Sequence, residues 1–234
     1  MTLHDSGHAV HFQGAGPIAG SCLSSSFAAP IVTVRPVLVI VEGVHDVEFL
    51  RRISGMLHAK DERLPDLEGM ERRGELIFIP IGGVGIASWT QRFRTLDLPE
   101  FFLLDGELPP ETDRRRRILQ CLDDRPRSVG RLTSKRSAEN YLHPEAVAAI
   151  CGVEIEFGDK DDVVGLLARA IHRKWNCGFW DRLTPPQRRR RMAKAKRRLN
   201  TQVASQMIPA LLTERDPAGE VEGWLHSITE LASL

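Results

Sequence analysis

Carboxylates at the ends of two apolar runs are the residues of this chain best suited to chemistry. Glu42 follows the run VLVIV at 37–41, and Asp46 stands four residues after it. Asp105 closes a second run, EFFLLD at 100–105, and Glu107 lies two residues further on. Both runs have the continuous aliphatic and aromatic character of strands buried on both faces. In a parallel α/β sheet, functional groups collect at the carboxyl ends of the strands. These carboxylates are therefore expected to converge on one edge. Packed like charges repel, and they are tolerated mainly where a cation neutralises them. Oxygen ligands without nearby Cys or clustered His favour Mg²⁺ or Mn²⁺ over zinc. One or two such ions could bridge to phosphate, activate water and stabilise the leaving oxygen. Glu42 could bind metal or act as a general acid/base. Taken one at a time, the same residues also read as a surface carboxylate, a helix-starting Asp and a turn cap.

The elements that must position these groups follow from the hydrophobic periods. After the strand at 37–41, residues 46–57 carry a helical period through Val47, Phe49, Leu50, Ile53 and Leu57. Residues 75–81 read as a second strand, with Pro80 weakening its end, followed by a helical stretch at 85–93. The third strand at 100–105 leads to a helix at 113–122, and 127–132 is a fourth, weaker strand. Gly43 and Gly82-Gly83 read as tight-turn glycines, which would also let the backbone pass close to phosphate. Alternating strands and helices imply an α/β fold with a Rossmann-like parallel sheet of about four strands flanked by helices. From 143 onward the strand signal fades. Residues 143–151, 161–175, 185–212 and 220–234 read as helices, with Pro144 and Pro185-Pro186 at helix starts. The expected organisation is a flexible leader at 1–33, an α/β core at 34–142 and a helical extension at 143–234. His4, His8 and His11 in the leader lack a carboxylate or cysteine to complete a metal site.

The acidic segments carry a family resemblance. VLVIVEGVHDVEFL resembles the opening motif of TOPRIM domains, an apolar strand ending in Glu-Gly with an Asp four residues after the Glu. FFLLDGE resembles the second motif, usually Asp-x-Asp, here Asp105-Gly106-Glu107. KRSAENYL at 135–142 resembles the Ser-x-Glu before Asn-Tyr-Leu of OLD-family (overcoming lysogenization defect) nucleases and stand-alone TOPRIM proteins. The resemblance covers roughly 35–142. It implies that Ser137 and Glu139 complete the metal shell, that the activity is phosphodiester cleavage in DNA or RNA, and that a lysine stands near the scissile phosphate. Lys160, Lys194 and Lys196 are its possible counterparts. Because OLD-type nucleases often work with an ABC-type ATPase, the resemblance also implies a separate ATPase subunit as partner, with antiviral defence as a role by analogy. A TOPRIM fold does not name its reaction. A non-catalytic nucleic-acid-binding or assembly module is the alternative, supported by the Asp-Gly-Glu departure, and a primase-like polymerase a weaker one.

Charge distribution points the same way. The totals nearly cancel, with 32 Lys and Arg against 31 Asp and Glu and a net charge of +1. Yet eight of the eleven residues at 188–198 are basic: Arg188, Arg189, Arg190, Arg191, Lys194, Lys196, Arg197 and Arg198. A second run is 114–117, and Arg125, Arg127, Arg131, Lys135 and Arg136 form a looser group. Phosphate backbones are natural partners for such local fields, with solvated helix faces as the plain alternative. Trp175, Phe179 and Trp180 are expected to pack the extension against the core, with base stacking as the other option.

Several chemistries are excluded. There is no Walker A segment, and Gly82-Gly83-Val84-Gly85 lacks the dinucleotide fingerprint. No nucleophile-elbow serine occurs, and the single tyrosine, Tyr141, lies inside the third motif, which argues against strand-passage chemistry. The cysteines, Cys22, Cys121, Cys151 and Cys177, form no C-x-x-C pair. No apolar run reaches the ~18–20 residues needed to span a membrane, and no secretory signal is evident. A cytoplasmic protein without membrane contact is expected.

Overall fold

In the computed structural model, which describes residues 35–82, 85–175 and 178–234, the two apolar runs become the central strands of one sheet. The strands are β1 (Val37–Val41), β2 (Leu76–Pro80), β3 (Glu100–Leu104) and β4 (Ser128–Leu132). All pairings are parallel and the order is β2-β1-β3-β4. This is the α/β, Rossmann-like architecture read from the alternation of strands and helices. Burial explains the order. Every residue of β1 and β3 is buried, as their unbroken apolar sequences require, whereas β2 and β4 are only partly covered and lie at the edges. Pro80 ends β2 on an edge, where a missing N–H is tolerated.

Helix α1 (Val44–Lys60) buries Val47, Phe49, Leu50, Ile53 and Leu57, and it extends beyond the expected 46–57 at both ends. Helix α2 (Leu67–Arg72), which no sequence signal announced, leads into β2. Helices α3 (Ile86–Phe93) and α4 (Glu111–Gln120) follow β2 and β3. The chain then adds α5 (Pro144–Cys151), α6 (Val163–Trp175), α7 (Pro185–Arg198), α8 (Pro209–Arg215) and α9 (Glu220–Ala232). The single helix expected over 185–212 is therefore interrupted. After Arg198 the chain enters a π turn at Leu199–Val203 and a 3₁₀ turn at Ala204–Gln206. Pro209 has no N–H to donate, and it confines Ile208 to an extended φ of −120° and ψ of 159°.

The helices beyond residue 142 share the core of the sheet. One buried cluster runs from Val37 to Leu231, and residues 34–234 form one compact unit. Trp224 of α9 meets Tyr141 edge to face, with ring centroids 5.2 Å apart. The Tyr141 hydroxyl donates to the Glu220 carboxylate, so the single tyrosine is buried. Burial followed by that bond holds its phenol above the usual range. Among the described residues, Cys121 is exposed and Cys151 buried, both free, and no helix is long and apolar enough to cross a membrane. The expected leader at 1–33, with its three histidines, lies outside the described residues, as do Cys22, Gly83, Val84 and Cys177.

Candidate functional site

The strand order decides where the acidic groups meet. β1 has β2 on one side and β3 on the other, so a crevice opens at the carboxyl ends of β1 and β3, the usual ligand position of open α/β sheets. Glu42 is the first residue past β1 and Asp105 the first past β3. The Asp105 amide donates to Glu42 Oε1 at 2.9 Å. The other oxygen, Oε2, accepts from Arg115 at 2.6 Å, and Arg115 also donates to the Asp105 carbonyl at 2.7 Å. Arg115 belongs to a basic run whose sequence reads as available to phosphate. Instead its side chain is 6% exposed and ties α4 to both strand ends.

Asp46 sits in the first turn of α1, where its Oδ2 accepts from the Gly43 amide at 2.7 Å. Gly43 itself is extended, at a φ of −151° open to any residue, whereas Gly82 adopts a left-handed φ of 70°. The second Asp46 oxygen, Oδ1, is buried and has no hydrogen-bond partner among the described residues. Gly106 is required by close approach, because a Cβ there would strike the carbonyl oxygens of Thr133 and Lys135. Glu107 follows with a left-handed φ of 44°, rare for a residue with a side chain. Its amide donates to the Arg136 carbonyl at 2.8 Å, and its carboxylate faces Arg136 Nε at 3.4 Å. These bonds strap residues 105–107 onto the loop that carries the third motif.

In that loop, Ser137 starts a 3₁₀ turn at Ala138–Tyr141, its hydroxyl donating to Asn140 Oδ1 at 3.0 Å. The turn directs Glu139 inward, 1% exposed, and brings the Ala138 amide to Asp105 Oδ1 at 3.2 Å. Glu139 Oε1 accepts from Asn200 at 2.7 Å and lies 3.4 Å from Lys196 Nζ. Asn200 belongs to the π turn after α7 and also donates to the Lys196 carbonyl at 2.9 Å. Such turns recur at functional sites. Of the three candidate lysines, Lys196 is the one that enters the cluster. Lys160 donates to the Ser134 carbonyl, and Lys194 faces away toward α6.

Glu42, Asp46, Asp105 and Glu139 thus share one electrostatic environment with Arg115 and Lys196. Burial, followed by repulsion from Asp46, Glu139 and Glu42, drives the Asp105 carboxyl well above the usual range. Burial raises Asp46 to about 6, against the pull of Lys196. Glu42 is raised by burial, with Arg115 opposing. For Glu139 burial pushes up, but Lys196 and the Asn200 amide outweigh it and hold the group low. Lys196 is pushed down by burial, yet Glu139, Asp46 and Asp105 raise it further, so it stays charged. His45, between the two acidic residues of the first motif, was not singled out from the sequence. Partial burial followed by Lys196 holds its imidazole below its ordinary value.

Beside the cluster opens a cleft of about 270 Å³, lined among others by Asp105, Glu107, Ser137, Glu139 and Lys196. Asp161 and Asp162 reach it too, but Asp162 is engaged in starting α6, its Oδ1 accepting from the Gly165 amide at 2.9 Å. Among the described residues no three His, Cys, Asp or Glu side chains are set as a ready-made metal cage. The donor chemistry nevertheless suits a hard cation. Four carboxylates face two cations, which leaves two negative charges unmatched when all are ionised, and one carboxylate oxygen, Asp46 Oδ1, is without a partner among the described residues. Arg125, Arg127 and Lys135, read as a looser phosphate-binding group, pair instead with Glu100, Asp97 and Asp159. No family model, curated protein or solved structure matches this chain.

Proposed function

We propose that this protein is a metal-dependent phosphodiesterase of the TOPRIM class acting on DNA or RNA, related in its motifs to OLD-family nucleases. The observation that carries the reading is the unmatched charge between the ends of β1 and β3: three buried carboxylates and the half-buried Glu42 against two cations, with Asp46 Oδ1 unpartnered among the described residues. A divalent ion would supply the two missing charges, and an all-oxygen donor set favours Mg²⁺ or Mn²⁺. Asp46, Asp105 and Glu139 would hold it, with Ser137 and Glu107 at the cleft available to a further ligand position. Bound there, the ion would polarise a phosphoryl oxygen and lower the pKa of water. The chain's own residues do the remaining work. Glu42, clasped by Arg115, orients the Asp105 backbone, and Lys196 offers its ammonium to a phosphate oxygen at the cleft. A separate ABC-type ATPase belongs to the same reading as the partner of OLD-type nucleases.

A second reading is a binding module without turnover. It is favoured by Lys196, which already supplies one positive charge inside the cluster, and by the pairing of Glu107 with Arg136. Purified protein incubated with single- and double-stranded DNA and RNA, in Mg²⁺, Mn²⁺ or EDTA, separates the two. Cleavage should require metal and fall by about a hundredfold or more in Asp46→Asn and Asp105→Asn, the scale of removing one preorganised charge-stabilising group. Cleavage that survives EDTA sinks the metal reading, and tight binding without cleavage favours the module.

A further inference from the structure

Helix α7 presents two different faces. Met192, Ala193 and Lys196 line the acidic cleft, while Arg190, Arg191, Lys194 and Arg198 line a groove of about 470 Å³ against α6. The sequence from Thr184 to Asn200 contains no carboxylate, and Arg190, Arg191 and Lys194 make no ion pair among the described residues. The groove is thus a concentration of cations that the described residues leave unneutralised.

A second, independent observation lies in its wall. His172 of α6 is 4% exposed and lines the groove, its ring edge-on to Trp180 with centroids 5.7 Å apart. Neither ring nitrogen has a hydrogen-bond partner among the described residues. A buried polar atom without a partner carries an uncompensated desolvation cost, which a ligand oxygen on the groove side would relieve. Two exposed aromatics stand near the groove in sequence, Trp175 as the last residue of α6 at 67% and Phe179 ahead of α7 at 69%. Each has a cation over its ring, Lys174 Nζ at 5.2 Å and Arg182 at 5.1 Å. Trp180 packs inward as the sequence suggested, whereas these two do not. Cations that track phosphates beside aromatic faces that stack bases are the two elements of single-strand recognition.

We propose that the α6–α7 groove is a second nucleic-acid site, in which Arg190, Arg191, Lys194 and His172 hold backbone phosphates of a single strand while Trp175 and Phe179 stack its bases. A duplex keeps its base faces stacked and cannot use those aromatics. The choice of a nucleic acid over another polyanion rests on the function proposed above, but the groove requires neither the acidic cleft nor a metal.

The test is therefore made in EDTA with the full chain. Fluorescence anisotropy is followed for a dye-labelled oligothymidylate longer than the ~4–16 nucleotides that one such site covers. A duplex of equal length and inorganic tripolyphosphate serve as comparison ligands, and all are titrated at several salt concentrations. The single strand should bind more tightly than the duplex. The double variant Arg191→Ala/Lys194→Ala should lower the slope of log affinity against log salt by about 1.4, or ~0.7 for each of two lost phosphate contacts. Trp175→Ala/Phe179→Ala should weaken single-strand binding by about tenfold and leave duplex binding unchanged. His172→Phe, which keeps a ring against Trp180, should weaken the single strand as well. Wild-type affinity and slope in the Arg191/Lys194 variant overturn the proposal. So does equal binding of duplex and single strand with no effect of the aromatic pair. So does Arg191/Lys194-dependent binding of tripolyphosphate without any binding of the strand. Loss of cleavage-site function with this binding intact removes the phosphodiesterase reading and leaves the groove standing. Metal-dependent cleavage with no groove dependence does the reverse.

Discussion

The two basic runs of this chain, at 114–117 on α4 and 188–198 on α7, look alike as sequence and behave differently in the folded protein. Each sends one cation inward to the carboxylate cluster, Arg115 to Glu42 and Lys196 to Glu139. What remains outside differs. On α4, Arg114 and Arg116 pair with Glu111 and Asp113 one turn earlier, so only Arg117 is left outward without an ion pair among the described residues. On α7 there is no acidic residue in reach along the helix, and the field survives. A run of arginines therefore says less than its neighbours at i−3 and i−4, which decide whether the charge is spent locally or offered to a partner.

The largest expected effect comes from breaking the inward half of the comparison. Arg115→Met leaves the half-buried Glu42 without its charged partner and should lower unfolding free energy by up to about 3–5 kcal/mol in denaturant titration. The double variant Arg115→Met/Glu42→Leu should recover most of that loss. If the single variant costs nothing, the pair does not organise the two strand ends. The next effect has the opposite sign. Asp46 titrates at 3.8 without the fold and at about 6 within it, so between those values the folded chain keeps a proton that the unfolded chain has lost. Stability then falls as pH rises through that window and the deficit is fully present above it, about 3 kcal/mol at 1.36 kcal/mol per pH unit. Asp46→Asn should accordingly raise stability at pH 8 by up to about 3 kcal/mol and by nothing near pH 3. A melting series across pH checks it, and a variant less stable than wild type at pH 8 contradicts it.

Smaller changes sharpen the outward half. Gln187→Glu puts a carboxylate one turn before Arg190 and Arg191, which gives α7 the pattern of α4. Because the Gln187 side chain already accepts from the Thr184 amide at 2.9 Å, the helix start survives the exchange. The helix should gain about 0.3–0.5 kcal/mol while oligonucleotide binding weakens measurably. Unchanged binding would mean that those arginines do not face the ligand. Removing Arg114 and Arg116 together should change stability by less than about 1 kcal/mol and leave oligonucleotide affinity as it was.

Much of the fold was legible because its signals are local. The apolar character of 37–41 and 100–104 called for strands buried on both faces, and alternation with helical periods called for a parallel sheet. The break before α8 was missed because the apolar period runs on through it, while Pro209 and the π turn around Asn200 override that period. The acidic residues of the cluster were also legible, since Glu42 and Asp105 mark strand ends and Asp46 a helix start. Their cationic neighbours were not: no spacing distinguishes Arg115 from Arg114 or Lys196 from Lys194, and only the faces they occupy after packing separate them.

By itself, then, the sequence determined which segments are strands and that two of them, at 37–41 and 100–104, run into a carboxylate, because burial and period act over a few residues. The tertiary structure decided that β1 and β3 lie side by side, so that Glu42 and Asp105 meet. It also decided that α4 and α7 each turn one cation into that meeting point, and that Asp46 keeps an oxygen without a partner among the described residues. Those facts depend on contacts between residues far apart in the chain, such as Asp105 with Glu42, 63 positions away, and Asn200 with Glu139, 61 away, which no local pattern encodes.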